Sequence, residues 1–196
     1  MEQVEQQESA SLERRAGKRH SAVLLLGKLC GDRPGVCLVH NISATGLMAR
    51  FVDVPSVGES ICIEVRGLPP VRGTVRWVRG AKAGIEFDSP QPYERIFLHE
   101  NEDETIPRPP RFEISLAADV RVGDRKFAAE MLDISAGGAK LRADSEVVVG
   151  LAGQIIVRPM GTAIFGTICW VRDDRFGFRF VSPLPIDTLA AIVVRR

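Results

Sequence analysis

The sequence repeats itself, and the repeat restricts the possible folds more than any single motif does. Gly31-Asp32-Arg33 recurs as Gly123-Asp124-Arg125, and Asn41, Ser43 and Gly46 recur as Asp133, Ser135 and Gly138, each 92 residues on. Further along the spacing becomes 93: Gly73-Thr74, Trp77-Val78-Arg79, Gly84, Phe87 and Ser89-Pro90 match Gly166-Thr167, Trp170-Val171-Arg172, Gly177, Phe180 and Ser182-Pro183. Pro92 finds Pro185, each ahead of an apolar segment. So many matched turn residues make the 196-residue chain two tandem copies of one small domain.

Each copy reads as strands. Ser21 to Cys30 and Val36 to Val39 flank a turn at 31–35, and Gly46 to Val52, Ser60 to Val65, Val71 to Arg79 and Ala83 to Asp88 follow, separated by Gly and Pro. Alternation places Ile61, Ile63 and Val65 on one face, and Val71, Val75 and Trp77 on one face of the next strand. Six short strands with no helix between them predict a small antiparallel barrel, which leaves no open sheet edge. Tyr93, Ile96 and Phe97 at helical spacing predict a short closing helix, matched by Ile186 to Val194. The expected fold is all-β: two tandem six-stranded antiparallel barrels, each followed by a short C-terminal helix. The boundaries are a disordered tail over 1–12, a first domain over 13–100, an acidic, proline-containing linker over 101–110 and a second domain over 111–196.

A net charge of +1 argues against a protein that coats nucleic acid or anionic membrane through bulk charge. Aromatic residues at 6% are too few for the stacking platforms of single-strand binders, so no nucleic-acid polymer is expected as a partner. Cys30, Cys37, Cys62 and Cys169 show no C-x-x-C pair or zinc spacing and are expected as buried thiols, with no metal and no cofactor. The polar N-terminus and the absence of a long apolar run predict a cytoplasmic chain without membrane insertion. No nucleophile, base and acid can be assembled, so no enzyme is expected.

Two segments carry recognition chemistry. Arg14, Arg15 and Arg19 precede the first strand, with Gly17 allowing a bend. A guanidinium pairs bidentately with phosphate or with the O6/N7 edge of guanine and stacks on a base. Asn41, Ser43 and Gly46 lie where one strand turns into the next. Such residues satisfy a turn's own backbone, glycine at a positive φ, and they equally present polar atoms to a guanine edge, with Gly46 admitting the ligand close to the backbone. Taken alone, either segment is a common accident of solvated sequence. His20 and His40 flank the two, and Trp77 and Trp170 are expected as core or barrel-end anchors.

Together, R-x-x-x-R at Arg15 and Arg19 followed by N-x-S-x-x-G at Asn41, Ser43 and Gly46 resembles the PilZ domain, the bacterial receptor module for cyclic di-GMP. The resemblance runs from Arg15 to about His99. It implies a six-stranded barrel across which the arginine arm clamps the dinucleotide, Arg15 and Arg19 gripping guanine and phosphate and Asn41 and Ser43 bonding a guanine. Arg14, just before the motif, implies a stacked pair of ligand molecules.

The second copy keeps Asp133, Ser135 and Gly138 but not the arm: Arg111 stands for Arg19, Pro107 stands for Arg15, and Arg108 and Arg111 have two residues between them. Two prolines stiffen that segment. Arg108, Arg111, Asp133, Ser135 and Gly138 are thus the remains of a second site, expected to bind weakly or not at all. The expected function is a cyclic di-GMP receptor in which ligand orders the arm and reorients the barrels to regulate an unidentified protein partner in motility, pilus or exopolysaccharide control. The alternative is an interaction adaptor of the same family that binds no ligand.

Overall fold

A computed structural model describes residues 20–31, 35–97, 108–158 and 160–194. The tail expected over 1–12, and 101–107 of the expected linker, lie outside them. Strands β1 (His20–Cys30), β2 (Gly35–Ser43), β3 (Gly46–Phe51), β4 (Ser60–Val65), β5 (Val71–Arg79) and β6 (Lys82–Phe87) close a barrel in the order β1-β2-β3-β6-β5-β4. A 3₁₀ helix, Tyr93–Phe97, follows it. Strands β7 (Phe112–Val122), β8 (Arg125–Ser135), β9 (Gly138–Arg142), β10 (Ala152–Val157), β11 (Thr162–Arg172) and β12 (Arg175–Phe180) close a second barrel, ordered β10-β11-β12-β9-β8-β7, with helix α1 (Ile186–Val193) after it. All pairings are antiparallel.

Period-two patterning builds both cores. Along β7, Phe112, Ile114, Leu116, Ala118, Val120 and Val122 are buried while Glu113, Ser115, Ala117 and Arg121 are exposed. In the first barrel Ile61, Ile63, Val65, Val71 and Val75 point inward as their alternation predicts. Of the four thiols expected to be buried, only Cys37 is; Cys30, Cys62 and Cys169 are partly exposed, because their strand positions face outward or sit at a bulge.

The repeat is not uniformly spaced within β1. Leu29 lies opposite Ile63, and Val120 lies opposite Ile155, so from 29 to 120 the spacing is 91. The first hairpin is one residue shorter: 30–34 separate Leu29 from its partner Gly35, whereas 121–126 separate Val120 from Phe127. A larger bulge restores the register. Three residues, 22–24, face one residue of β2, where two residues, 114 and 115, face one of β8. His20 opposite Ile42 and Phe112 opposite Ile134 are then 92 apart, which makes Arg19 and Arg111 equivalent. Leu24, in the bulge, takes φ 36° and is exposed.

Helix α1 lies against β2 of the first barrel. Leu189, Ala190, Ile192 and Val193 are buried, and Val36, on the outer face of β2, belongs to the second barrel's core cluster, with Leu26 packed against it. Arg50 reaches Asp187 across this contact at 3.3 Å. The equivalent face of the second barrel is polar. Leu38, between Leu26 and Arg50, is replaced by Glu130, between Ala117 and Arg142, and Arg142 turns inward to Glu130 at 2.5 Å. Among the described residues the docking surface therefore occurs once, and a head-to-tail contact that would otherwise propagate stops at two barrels.

Candidate functional site

Backbone irregularities create the site. An extra residue in a strand turns the side chains beyond it to the other face. The β2–β3 register shifts between Val39 and Asn41, which brings Asn41 off the core face. The β5–β6 register shifts between Val75 and Trp77, so Arg76 and Trp77 both point outward. This overturns the expectation that Trp77 shares the buried face of Val71 and Val75: it is 36% exposed, and Trp170, behind the same bulge in β11, is 40% exposed.

The cleft opens on the outside of the first barrel, about 380 Å³ in volume, lined by Asn41, Ser43, Gly46, Met48, Arg76, Trp77, Gly84 and Glu86 among others. Asn41, Met48, Gly84 and Trp77 are successive register partners across β2, β3, β6 and β5, so they form one row. Gly84 is required because the indole folds over it: a Cβ there would lie 2.0 Å from Trp77 Nε1. Arg79 stands 5.7 Å from the Trp77 ring, and Arg76 Nε donates to Glu86 at 2.5 Å on the rim. The row thus runs from an amide with a donor and an acceptor, over a thioether and bare backbone, to an exposed aromatic face. Such a surface accepts a planar heterocycle by stacking and edge hydrogen bonds.

Ser43 and Gly46 have turn roles of their own. Ser43 Oγ donates to the Gly46 carbonyl at 3.2 Å, and Ser135 does the same to Gly138 at 3.2 Å, which leaves the hydroxyl lone pairs as acceptors. Gly46 is not at a positive φ, contrary to the sequence expectation; it is glycine because a Cβ would meet the Ile85 carbonyl at 2.4 Å. Arg14, Arg15 and Arg19 lie outside the described residues. His40, beside Asn41, buries its Nε2 with no hydrogen-bond partner among them.

In the second barrel the corresponding row is Asp133, Lys140, Gly177 and Trp170. Two substitutions change its chemistry. Lys140, in place of Met48, reaches Asp133 Oδ2 at 2.9 Å, and the Arg111 guanidinium takes Oδ1. Asp133 is 6% exposed. Its carboxylate is therefore neutralised within the chain, whereas no described residue hydrogen-bonds the Asn41 amide. Arg108 is exposed beside this segment.

Sequence reasoning identified the polar end of the row and missed its aromatic end. The signal was present in the paired Gly84 and Gly177, seven residues after Trp77 and Trp170, but the bulges that turn each indole outward leave no mark in an alternation pattern.

The PilZ domain family matches the sequence twice, over residues 13–100 and 107–195. The chain belongs to the PilZ family. No curated protein matches it. Among solved structures, Borreliella burgdorferi PlzA in complex with c-di-GMP is 14% identical with a TM-score of 0.43, the match covering 99% of this chain and 98% of that one. Bacillus subtilis MotI/DgrA, an inhibitor of motility, is 13% identical over 88% and 94% with a TM-score of 0.37, and Escherichia coli YcgR in complex with c-di-GMP is 15% identical over 88% and 81% with a TM-score of 0.34. No helix among the described residues of this PilZ chain is long and apolar enough to cross a membrane.

Proposed function

We propose that this PilZ protein is a cyclic di-GMP receptor that binds through its first barrel. The observation that carries the reading is the contrast between equivalent rows: Asn41, Met48, Gly84 and Trp77 form an uncharged row along an open cleft, while Asp133 is gripped by Arg111 and Lys140. In this reading one guanine stacks on Trp77 and is bonded at its edge by Asn41 and the Ser43 acceptor. Arg15 and Arg19 clamp phosphate and guanine from the arm, and Arg14 accommodates a second, stacked ligand molecule. Gly46 keeps β3 close enough to β6 to shape the cleft floor. The second barrel, with Arg108, Arg111, Asp133, Ser135 and Gly138, has little capacity left for nucleotide and serves to pass the signal on.

Ligand contacts made only with an ordered arm shift the population toward that state, and β1 carries the change from the arm to the inter-barrel contact, where a protein partner is regulated. Calorimetric titration of the whole chain with cyclic di-GMP tests the reading. It expects binding with two ligand molecules per chain, abolished or strongly weakened in Asn41→Ala and Trp77→Ala. Undetectable binding to the wild type rejects it in favour of a ligand-free adaptor.

A further inference from the structure

The structure also holds a pair of thiols that the nucleotide cleft does not use. Cys30 at the end of β1 and Cys62 in β4 are direct register partners. Residues opposite one another on antiparallel strands lie about 4.5–5.5 Å apart at Cα. Disulfides span about 4.4–6.8 Å at Cα, so the backbone already holds the two at bridging separation. Their neighbours Leu29 and Ile63 contribute to the first barrel's core, and the alternation directs Cys30 and Cys62 outward, where both are partly exposed. They share the wall of a surface cavity of about 530 Å³ with Arg72, the partner of Cys62 on β5. The other two cysteines have no such arrangement: Cys37 is fully buried in the first core, and Cys169 lies in the second barrel with Sγ on the Gly177 carbonyl.

We propose that Cys30 and Cys62 form a thiol–disulfide exchange site, which small-molecule disulfides convert to a cross-strand disulfide between β1 and β4. The Cys62 thiolate attacks one sulfur of the small disulfide, breaking its S–S bond and releasing one small thiolate. Cys30 then attacks the Cys62 sulfur of the mixed disulfide and expels the second. The two protein thiol protons pass through solvent to the two leaving thiolates, so the protein loses two electrons and the small disulfide gains them. The order follows from the environment. Burial, and after it the adjacent Cys62, pushes the Cys30 thiol up to about 11, so Cys30 is a poor first nucleophile and acts second, and Cys62 is the register partner of Arg72 on β5. In a reducing compartment such a bond is a reversible modification rather than a permanent staple. It would fix β1, the strand that follows the arginine arm, to β4.

The full-length protein, reduced and then exposed to oxidised glutathione, tests this by thiol titration and peptide mass mapping. Two of the four thiols should be lost, the intact mass should fall by two hydrogens with no retained glutathione, and the peptides containing Cys30 and Cys62 should be joined until dithiothreitol is added. Cys30→Ser should instead retain a glutathione adduct at Cys62. Phenylarsine oxide, a dithiol-selective probe, should bind the reduced wild type and not Cys62→Ser. Four free thiols after oxidation, separate adducts on both cysteines, or a bridge involving Cys37 or Cys169 would overturn the assignment.

Discussion

Lys28 of the first barrel donates from Nζ to the main-chain carbonyl of Arg111 at 2.9 Å, so the residue whose guanidinium pairs with Asp133 in the second barrel is held in place by β1 of the first. The same ammonium stands 5.9 Å from the Phe112 ring centroid and 3.6 Å from Glu64. β1 therefore joins two things: the arm segment before it and the entry segment of the second barrel. Lys28 thus ties β1 to the segment that enters the second barrel.

Docking of the barrels should rest on apolar burial rather than on the ion pair. Val36 is 2% exposed and contributes to the second barrel's cluster rather than the first's, so Val36→Asp forces an unpaired carboxylate into that contact at a cost of several kcal/mol. The barrels should separate while each keeps its own core, raising the radius of gyration in small-angle scattering. Arg50→Ala removes only a largely exposed pair, and its effect on stability should stay below about 1 kcal/mol. An unchanged radius for Val36→Asp would place the docking energy elsewhere.

The indole seats can be tested without touching a polar group. An alanine at Gly84 or Gly177 puts a Cβ 2.0 Å from the indole Nε1, and the neighbour that must yield is the end of a side chain rather than backbone. Both variants should stay folded and show altered tryptophan fluorescence as the ring swings away. Only Gly84→Ala should weaken cyclic di-GMP binding. Equal weakening by Gly177→Ala would mean that the second cleft takes ligand as well.

Much of this was legible in advance, and what was not has a definite cause. Repeated turn residues gave two barrels, and alternation gave Ile61, Ile63, Val65, Val71 and Val75 as core. Alternation fails at the β5 bulge, where the inserted residue reverses the side chains beyond it; that is why Trp77 was expected inside and is found on the cleft. A constant spacing also concealed that the shorter first hairpin is compensated by the larger bulge at 22–24, since the two changes cancel before Arg19. The charge pairing of Asp133 needed Lys140, whose only sequence signature is a basic residue where Met48 stands.

Acid should weaken the open face of the second barrel. Hydrogen bonds from Ser115 and then Arg142 hold the Glu130 carboxyl below its ordinary value of 4.5. A carboxyl depressed in the folded state contributes stability that is present above its unfolded pKa and lost as pH falls through the folded one. The urea midpoint should thus drop as pH is lowered below about 4.5. Glu130→Gln should flatten that part of the curve and leave the neutral-pH binding of cyclic di-GMP unchanged. Asp119, depressed by its hydrogen bond from Arg158, adds a titration of the same sign, so the double variant Glu130→Gln/Asp119→Asn should be flatter still.

Arg19 and Arg111 occupy equivalent positions with opposite expected consequences, which makes them each other's control. Arg19→Ala removes a charge-assisted fork from the ligand, worth about 1.5–3 kcal/mol. That is a loss of roughly ten- to a hundredfold in affinity. Arg111→Ala removes a guanidinium from the buried Asp133, which keeps Lys140, so the second barrel should lose about 1–2 kcal/mol of stability. The first barrel's affinity should not change, because the Lys28 bond is to the Arg111 main chain and survives the substitution. Titration and urea unfolding of the two variants side by side separate the roles. A loss of ligand affinity in Arg111→Ala equal to that in Arg19→Ala would show that the second barrel's row is part of the binding site after all.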